Sequence, residues 1–307
     1  MTRQYLRAAT LIVSTIGGDG LDLSELRISF KVNQADIQTP NSAQIRVWNL
    51  SRATSQRIEK EFTRVTLQAG YGDNEAVIFD GTIVQLRRGR ANATDTYLDI
   101  TAADGDEAYN YAIINSSLLA GSKPEDMYKA AVEAFKKYGV TDGYIPSQGL
   151  GGQELPRGKV VFGPAKDWMR QLADNTNTTW SIQDGKVNVV TYGGYLPGEA
   201  VVLNSQSGMI GIPEQTVGGI NVRSLLNPRL KYSGRVRINE GDINRAEVSL
   251  VSTGVTQYLP RLVEDGFYRI VVANHVGDTR GQDWYSDLIC VALDDTAPPA
   301  QIQRGLG

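Results

Sequence analysis

The sequence holds one histidine, His275, and one cysteine, Cys290. That scarcity removes whole classes of chemistry. A zinc or iron site needs three or four clustered ligands, and one His with one distant Cys cannot supply them. A lone cysteine forms no intramolecular disulfide. Cys290 lies in the apolar run Leu288-Ile289-Cys290-Val291 and reads as a small buried hydrophobe. A Ser-His-Asp arrangement would have to use His275, with Asp278 three residues on, yet no Gly-x-Ser-x-Gly elbow presents a nucleophile. His275 is read instead as a strand-end imidazole bonded to nearby backbone. Gly17-Gly18-Asp19-Gly20 lacks the spacing and the lysine of a phosphate loop, so it reads as a turn. No feature marks two of the 34 acidic residues as a glycosidase pair. No cofactor is expected.

Long apolar runs are missing too. None nears the ~20 residues of a membrane helix, so no membrane insertion is expected. Arg3 and Arg7 precede a short apolar run over residues 8–13, without a small-residue cleavage site. We read it as a first β-strand in a protein folded in a cytoplasm. An excess of positive charge is also lacking. Residues 1–105 carry 12 basic and 12 acidic side chains, and the whole chain sums to −3. A sequence-independent DNA binder needs a positive face.

What is present is glycine, 32 residues of it, and alternation. Leu26, Ile28, Phe30 and Val32 alternate with polar residues, as do Val65, Leu67, Ala69 and Tyr71, and then Leu98, Ile100 and Ala102. A period of two marks half-buried strands. In the run 77–86, Val77 and Phe79 share one face while Val84 and Leu86 follow the other parity, which predicts a bulge or bend at Gly81. Ser51 caps a short helix over residues 52–60. Residues 1–105 therefore read as a β-domain.

Residues 106–200 change character and read as a small α+β region. Ser122 begins a capping-box pattern with Pro124 in the first turn. A helix near 123–138 then buries Met127, Ala131, Ala134, Phe135 and Tyr138 and stops at Gly139. A second helix near 164–173 turns Trp168, Met169 and Leu172 inward. Asp184-Gly185 closes a hairpin over 179–190 that sets Ile182 opposite Val187 and Trp180 opposite Val189.

Residues 201–296 return to strand patterns: 222–226 cut off by Asn227-Pro228, then 230–238, 246–251, 268–276 and 288–293. A tail over 297–307 is too polar to build a core and carries Ile302 and Leu306. Three groups are candidate interface residues. Arg87, Arg88 and Arg90 are a solvated strand end or a contact with an acidic partner or passing nucleic acid. Asp278, Thr279 and Arg280 form a polar loop, structural first and interfacial second. Ile302 and Leu306 could hold the tail to a neighbour.

Several segments together carry a family resemblance. They are Val47-Trp48-Asn49-Leu50-Ser51, Phe79-Asp80-Gly81, Trp180-Ser181-Ile182-Gln183-Asp184-Gly185-Lys186, Gly211-Ile212-Pro213-Glu214-Gln215-Thr216, Leu225-Leu226-Asn227-Pro228 and His275-Val276-Gly277-Asp278-Thr279-Arg280-Gly281. Their order and spacing resemble the baseplate hub proteins of tailed bacteriophages, contractile ones in particular, over nearly the whole chain. The resemblance implies a mainly β chain with an α+β middle region: two tail-tube-like β-barrel domains flanking small α+β domains. It implies a homotrimer in the virion baseplate that adapts a hexameric tail tube to a trimeric central spike, alongside other baseplate subunits. Genomic DNA would pass through without specific binding. The family carries no catalytic residues to transfer. No repeat relates the two ends in sequence. Alternatives are another tube-fold tail component such as a distal tail protein, a baseplate-resident glycan hydrolase, or a carbohydrate-binding module using some of the 14 tyrosines.

Overall fold

A computed structural model of the chain describes residues 6–15, 18, 20–35, 40–216, 218–245, 262 and 266–293. The strand expected over 246–251 and the tail with Ile302 and Leu306 lie outside them. The first segment contains β1 (Arg7–Ser14), β2 (Gly20–Asp22), β3 (Ile28–Ala35), β4 (Ser42–Trp48), α1 (Arg52–Glu61), β5 (Arg64–Tyr71), β6 (Ala76–Arg90) and β7 (Thr96–Ala103). The middle contains α2 (Asp106–Tyr111), β8 (Ile113–Leu118), α3 (Pro124–Lys136), β9 (Thr141–Asp142), β10 (Lys159–Pro164), α4 (Ala165–Thr176), β11 (Thr178–Gln183) and β12 (Lys186–Thr191). The last segment contains β13 (Val201–Leu203), β14 (Met209–Thr216), β15 (Gly219–Leu225), β16 (Arg235–Ile238), β17 (Phe267–Asp278) and β18 (Trp284–Ala292). The chain is mainly β, with its helices concentrated in the middle.

Alternation places the expected strands. Ile28, Phe30 and Val32 are buried with Ala43, Ile45, Val47, Leu98, Ile100 and Ala102, and Ile58 of α1 joins them. Ser51 caps α1 by accepting from the Thr54 amide at 3.0 Å. A second cluster fills the middle, where Trp180 stacks between Tyr109 and Phe135 at centroid distances of 6.2 and 6.1 Å. A third lies under β15–β18. One antiparallel path, β14-β15-β18-β17-β3-β4-β7-β6-β5-β1-β2, runs through both end segments, which meet where β17 pairs with β3.

Several expectations are refined. The hairpin at Asp184-Gly185 has the expected register, with Ile182 opposite Val187 and Trp180 opposite Val189. The phase change in β6 comes from two bulges, which leave Ile78 and Val84 unpaired on either side of a regularly paired Gly81. Val84 is consequently exposed, whereas Leu86 still packs against the core. The cap of α3 is Lys123, one residue later than the pattern suggested, and its amide donates to Asp126 at 3.0 Å. Glu125 instead accepts from the Leu150 amide. Tyr138 lies past the end of α3, partly exposed, with its hydroxyl on the Tyr111 carbonyl. The strand expected over 230–238 spans only Arg235–Ile238, because Ser233 takes a left-handed φ of 59° and turns the chain.

Candidate functional site

The large sheet has one face on its cores and one open. The open face can be built row by row from the register. Asp278 stands opposite Ser29, Ser29 opposite Arg46, Arg46 opposite Asp99, and Asp99 opposite Arg87. The next row is Val276, Lys31, Gln44, Thr101 and Gln85. These residues line a shallow cavity of about 480 Å³, together with Asp283 and others. Its charged lining is three cations, Lys31, Arg46 and Arg87, and three anions, Asp99, Asp278 and Asp283. The face continues past Asn274 to Asp287 and Arg223.

The arginines of this face are neutralised in place. Arg46 grips Asp99 through two bonds of 2.6 and 3.0 Å, and Arg87 adds a third at 2.8 Å. Burial pushes the Asp99 carboxyl up, but the two guanidiniums outweigh it and hold its pKa below the usual range. Arg223 grips Asp287 in the same way at 2.6 and 3.1 Å. Arginine suits these positions because its planar fork matches a carboxylate. The arginines also lie over aromatic rings: Arg46 over Tyr97 at 4.0 Å and Arg223 over Tyr285 at 4.4 Å.

The structure disperses the predicted basic cluster. Arg87 is on the open face with Asp99, while Arg88 points the other way and forks onto Glu59 of α1. Arg88 therefore helps hold α1 on the sheet. Arg90 is exposed at the end of β6. The loop Asp278–Gly281 is a clasp between the two ends of the chain. Asp278 accepts from Arg27 at 3.2 and 2.7 Å, and Thr279 exchanges bonds with the backbone of Ile28. Arg280 reaches the Glu25 carbonyl, and Arg7 of β1 donates to the carbonyls of Gly281 and Gln282.

His275 lies within β17 rather than at its end, fully buried, with Nδ1 2.8 Å from Ser286 Oγ across the strand pair. The Nδ1 partner is thus a hydroxyl, and the Leu230 backbone also bonds the ring. Burial, aided by nearby Lys231, lowers its pKa to about 4. Asp278 is committed to Arg27, so the three residues form no relay. Cys290 is buried, and burial raises its thiol pKa. Among the described residues no group of three or more His, Cys, Asp or Glu side chains could hold a metal ion. Among them no helix is long and apolar enough to cross a membrane.

Sequence reading found the strands that make the open face but not the face itself. Lys31, Asp99 and Thr101 are the polar alternates of strands the sequence shows, while Gln44 and Arg46 lie on β4. The missing information was which strands are neighbours.

The fold recurs in solved tail proteins. The 43 kDa tail protein of prophage MuSo2 from Shewanella oneidensis matches with a TM-score of 0.59 and 8% identity, over 96% of this chain and 99% of that one. A tail protein from Neisseria meningitidis MC58 matches at 0.58 and 8%, over 98% and 99%. The c3393 protein of E. coli, a type VI secretion component with structural similarity to T4 tail proteins gp27 and gp5, matches at 0.53 and 8%, over 90% and 76%. The class is therefore a phage-tail fold. No sequence among curated proteins matches this chain. The family model described as baseplate hub gp41 matches residues 11–246, and the chain belongs to that family. It is a structural component of the virion tail baseplate.

Proposed function

We propose that this chain is a homotrimeric hub joining a hexameric tail tube to a trimeric central spike, with the open face of its sheet turned towards passing DNA. One observation carries the reading: that face runs across the first and last segments, and its lining cations and anions are equal in number, with Arg46 and Arg87 both paired to Asp99. Such a face meets phosphates without the net positive charge that would release counterions and hold the duplex. The hub family and the tail-protein fold support it. In this reading the two ends act as tube-like β-barrel domains around the α+β middle, so three chains offer six. Tube, spike and other baseplate subunits are the partners. The role is one of packing rather than catalysis, which the burial of His275 supports.

Light scattering tests the assembly. The chain alone, or co-expressed with its spike, should have the mass of a trimer. A monomer under both conditions would sink the proposal. Six-fold rings in negative stain would favour a distal tail protein instead. Glycan turnover that vanished on replacing one carboxylate would establish the hydrolase alternative.

A further inference from the structure

The α+β middle is a body with its own core. Every buried side chain of the second hydrophobic cluster comes from residues 108–189. The polar bonds that fasten this body to the end segments gather at the tip of the β11–β12 hairpin. On one side of the tip, Asp104 at the end of β7 accepts from the Asp184 and Gly185 amides at 2.6 and 3.1 Å. The Asn41 side chain donates to the Ile182 carbonyl at 3.5 Å. On the other side, Lys231 of the loop after β15 bonds the Asp184 carboxylate at 2.6 Å. One tip therefore ties three segments together. The fit is close, since a Cβ on Gly105 would sit 2.7 Å from the Ile182 side chain.

Asp104 is only 4% exposed, and the tip occupies both of its oxygens. The anions that face it already have cations of their own. Asp80 of β6 is held by Arg64 of β5 at 2.7 Å, and Asp184 by Lys231. α2, which begins two residues on, opens with Asp106 and Glu107. Among the described residues no cation bonds Asp104 itself. A charge on Asp104 is therefore poorly compensated while the tip covers it, and is solvated once the tip lifts.

We infer that the hairpin tip is a proton-controlled latch: a protonated Asp104 keeps the middle fastened to the end segments, and loss of that proton favours release of the tip, with the middle leaving as an intact body. Burial raises the Asp104 pKa to about 7 in the latched form, whereas an exposed aspartate titrates near 4. The latch is thus strongest below about pH 4, weakens as pH rises to about 7 and changes no further above that. His275 lies under the loop that carries Lys231, with its ring bonded by the Leu230 backbone, and stays buried when the tip lifts. Its opposing titration belongs to global unfolding and leaves the latch untouched.

Hydrogen exchange of the full chain tests the latch, read as protection factors so that the intrinsic pH dependence of exchange is divided out. Between pH 5 and 7 the Asp184 and Gly185 amides should lose protection by up to about tenfold per pH unit. Amides of α3, α4 and the β3–β17 pair should not follow. Asp104→Asn should abolish the slope. Lys231→Ala should lower protection at the tip by a few-fold at every pH and keep the slope. Protection at the tip that ignores pH in the wild type, or a slope that survives Asp104→Asn, overturns the latch. A slope shared by α3 and α4 overturns it in favour of unfolding of the middle itself. One shared by β3 and β17 overturns it in favour of global unfolding.

Discussion

Asp104 and His275 are buried and titratable, and burial moves them in opposite directions. Asp104 accepts from the amides of Asp184 at 2.6 Å and Gly185 at 3.1 Å, which ties the end of β7 to the hairpin tip. Burial, helped by the Asp184 carboxylate, outweighs those two bonds and raises its pKa to about 7. The folded state thus holds this proton more tightly than the unfolded chain. Its contribution is fully present below about pH 4 and is lost as pH rises to about 7. His275 is the reverse. With a folded value of about 4, its contribution is present above about pH 6.5 and is lost as pH falls through about 4. The two slopes oppose each other between these limits, so the wild-type profile should be flat there. Denaturant unfolding between pH 5 and 8 should separate them. Asp104→Asn should unmask a rise of stability with pH of up to about 1.4 kcal/mol per pH unit between about pH 4 and 6.5, and His275→Gln should unmask a fall over the same range. Variants with the wild-type profile would show that neither group titrates in this way.

Elements differ in how far their own residues specify them. The hairpin of β11 and β12 was legible in register because its turn is two residues long and both strands are contiguous with it. Asp184 and Gly185 take φ of 51° and 71°, as a tight turn of this kind requires. The ribbon of β8 and β10 was not legible. Its strands lie some 40 residues apart in the chain, and β10 lacks the polar alternation that marks a half-buried strand. In β6 a break in the alternation was legible, but it lies at the bulges flanking Gly81, which separate Val77 from the buried Phe79 and the exposed Val84 from Leu86. Gly81 has a different task. A Cβ there would sit 2.6 Å from the Ala103 carbonyl oxygen and 2.7 Å from the Phe79 ring. Gly81→Ala should therefore destabilise by about 1–3 kcal/mol, read as a lower melting temperature. An unchanged melting point would mean that β6 and β7 can move apart at no cost.

At the scale of the whole molecule, the two ends share one sheet. β3 would be an unpaired edge without β17, and exposed edges invite mispairing. A fragment of residues 1–105 should therefore aggregate or exchange its β3 amides rapidly, while the full chain protects β3 and β17 alike. Equal protection of β3 in fragment and full chain would argue for independent ends. The clasp makes a smaller contribution. Asp278→Ala should cost about 1 kcal/mol, because its Arg27 partner is partly exposed. It should also speed exchange of the Ile28 amide, which Thr279 holds.

The sequence by itself determined the half-buried strands, the helices of the middle and the hairpin register, all of which depend on residue type and near neighbours. The hub resemblance was also legible, and the family model over residues 11–246 agrees with it although overall identity to the solved tail proteins is only 8%. Only the tertiary structure decided that Arg87 and Arg88 lie on opposite faces, that Asp278 clasps Arg27, and that the polar alternates of separate strands merge into one balanced face. Side-chain direction along a strand follows from a period of two. Which strand lies beside which depends on contacts between residues as much as 275 positions apart, as in the Arg7–Gln282 pair, and no local pattern encodes them.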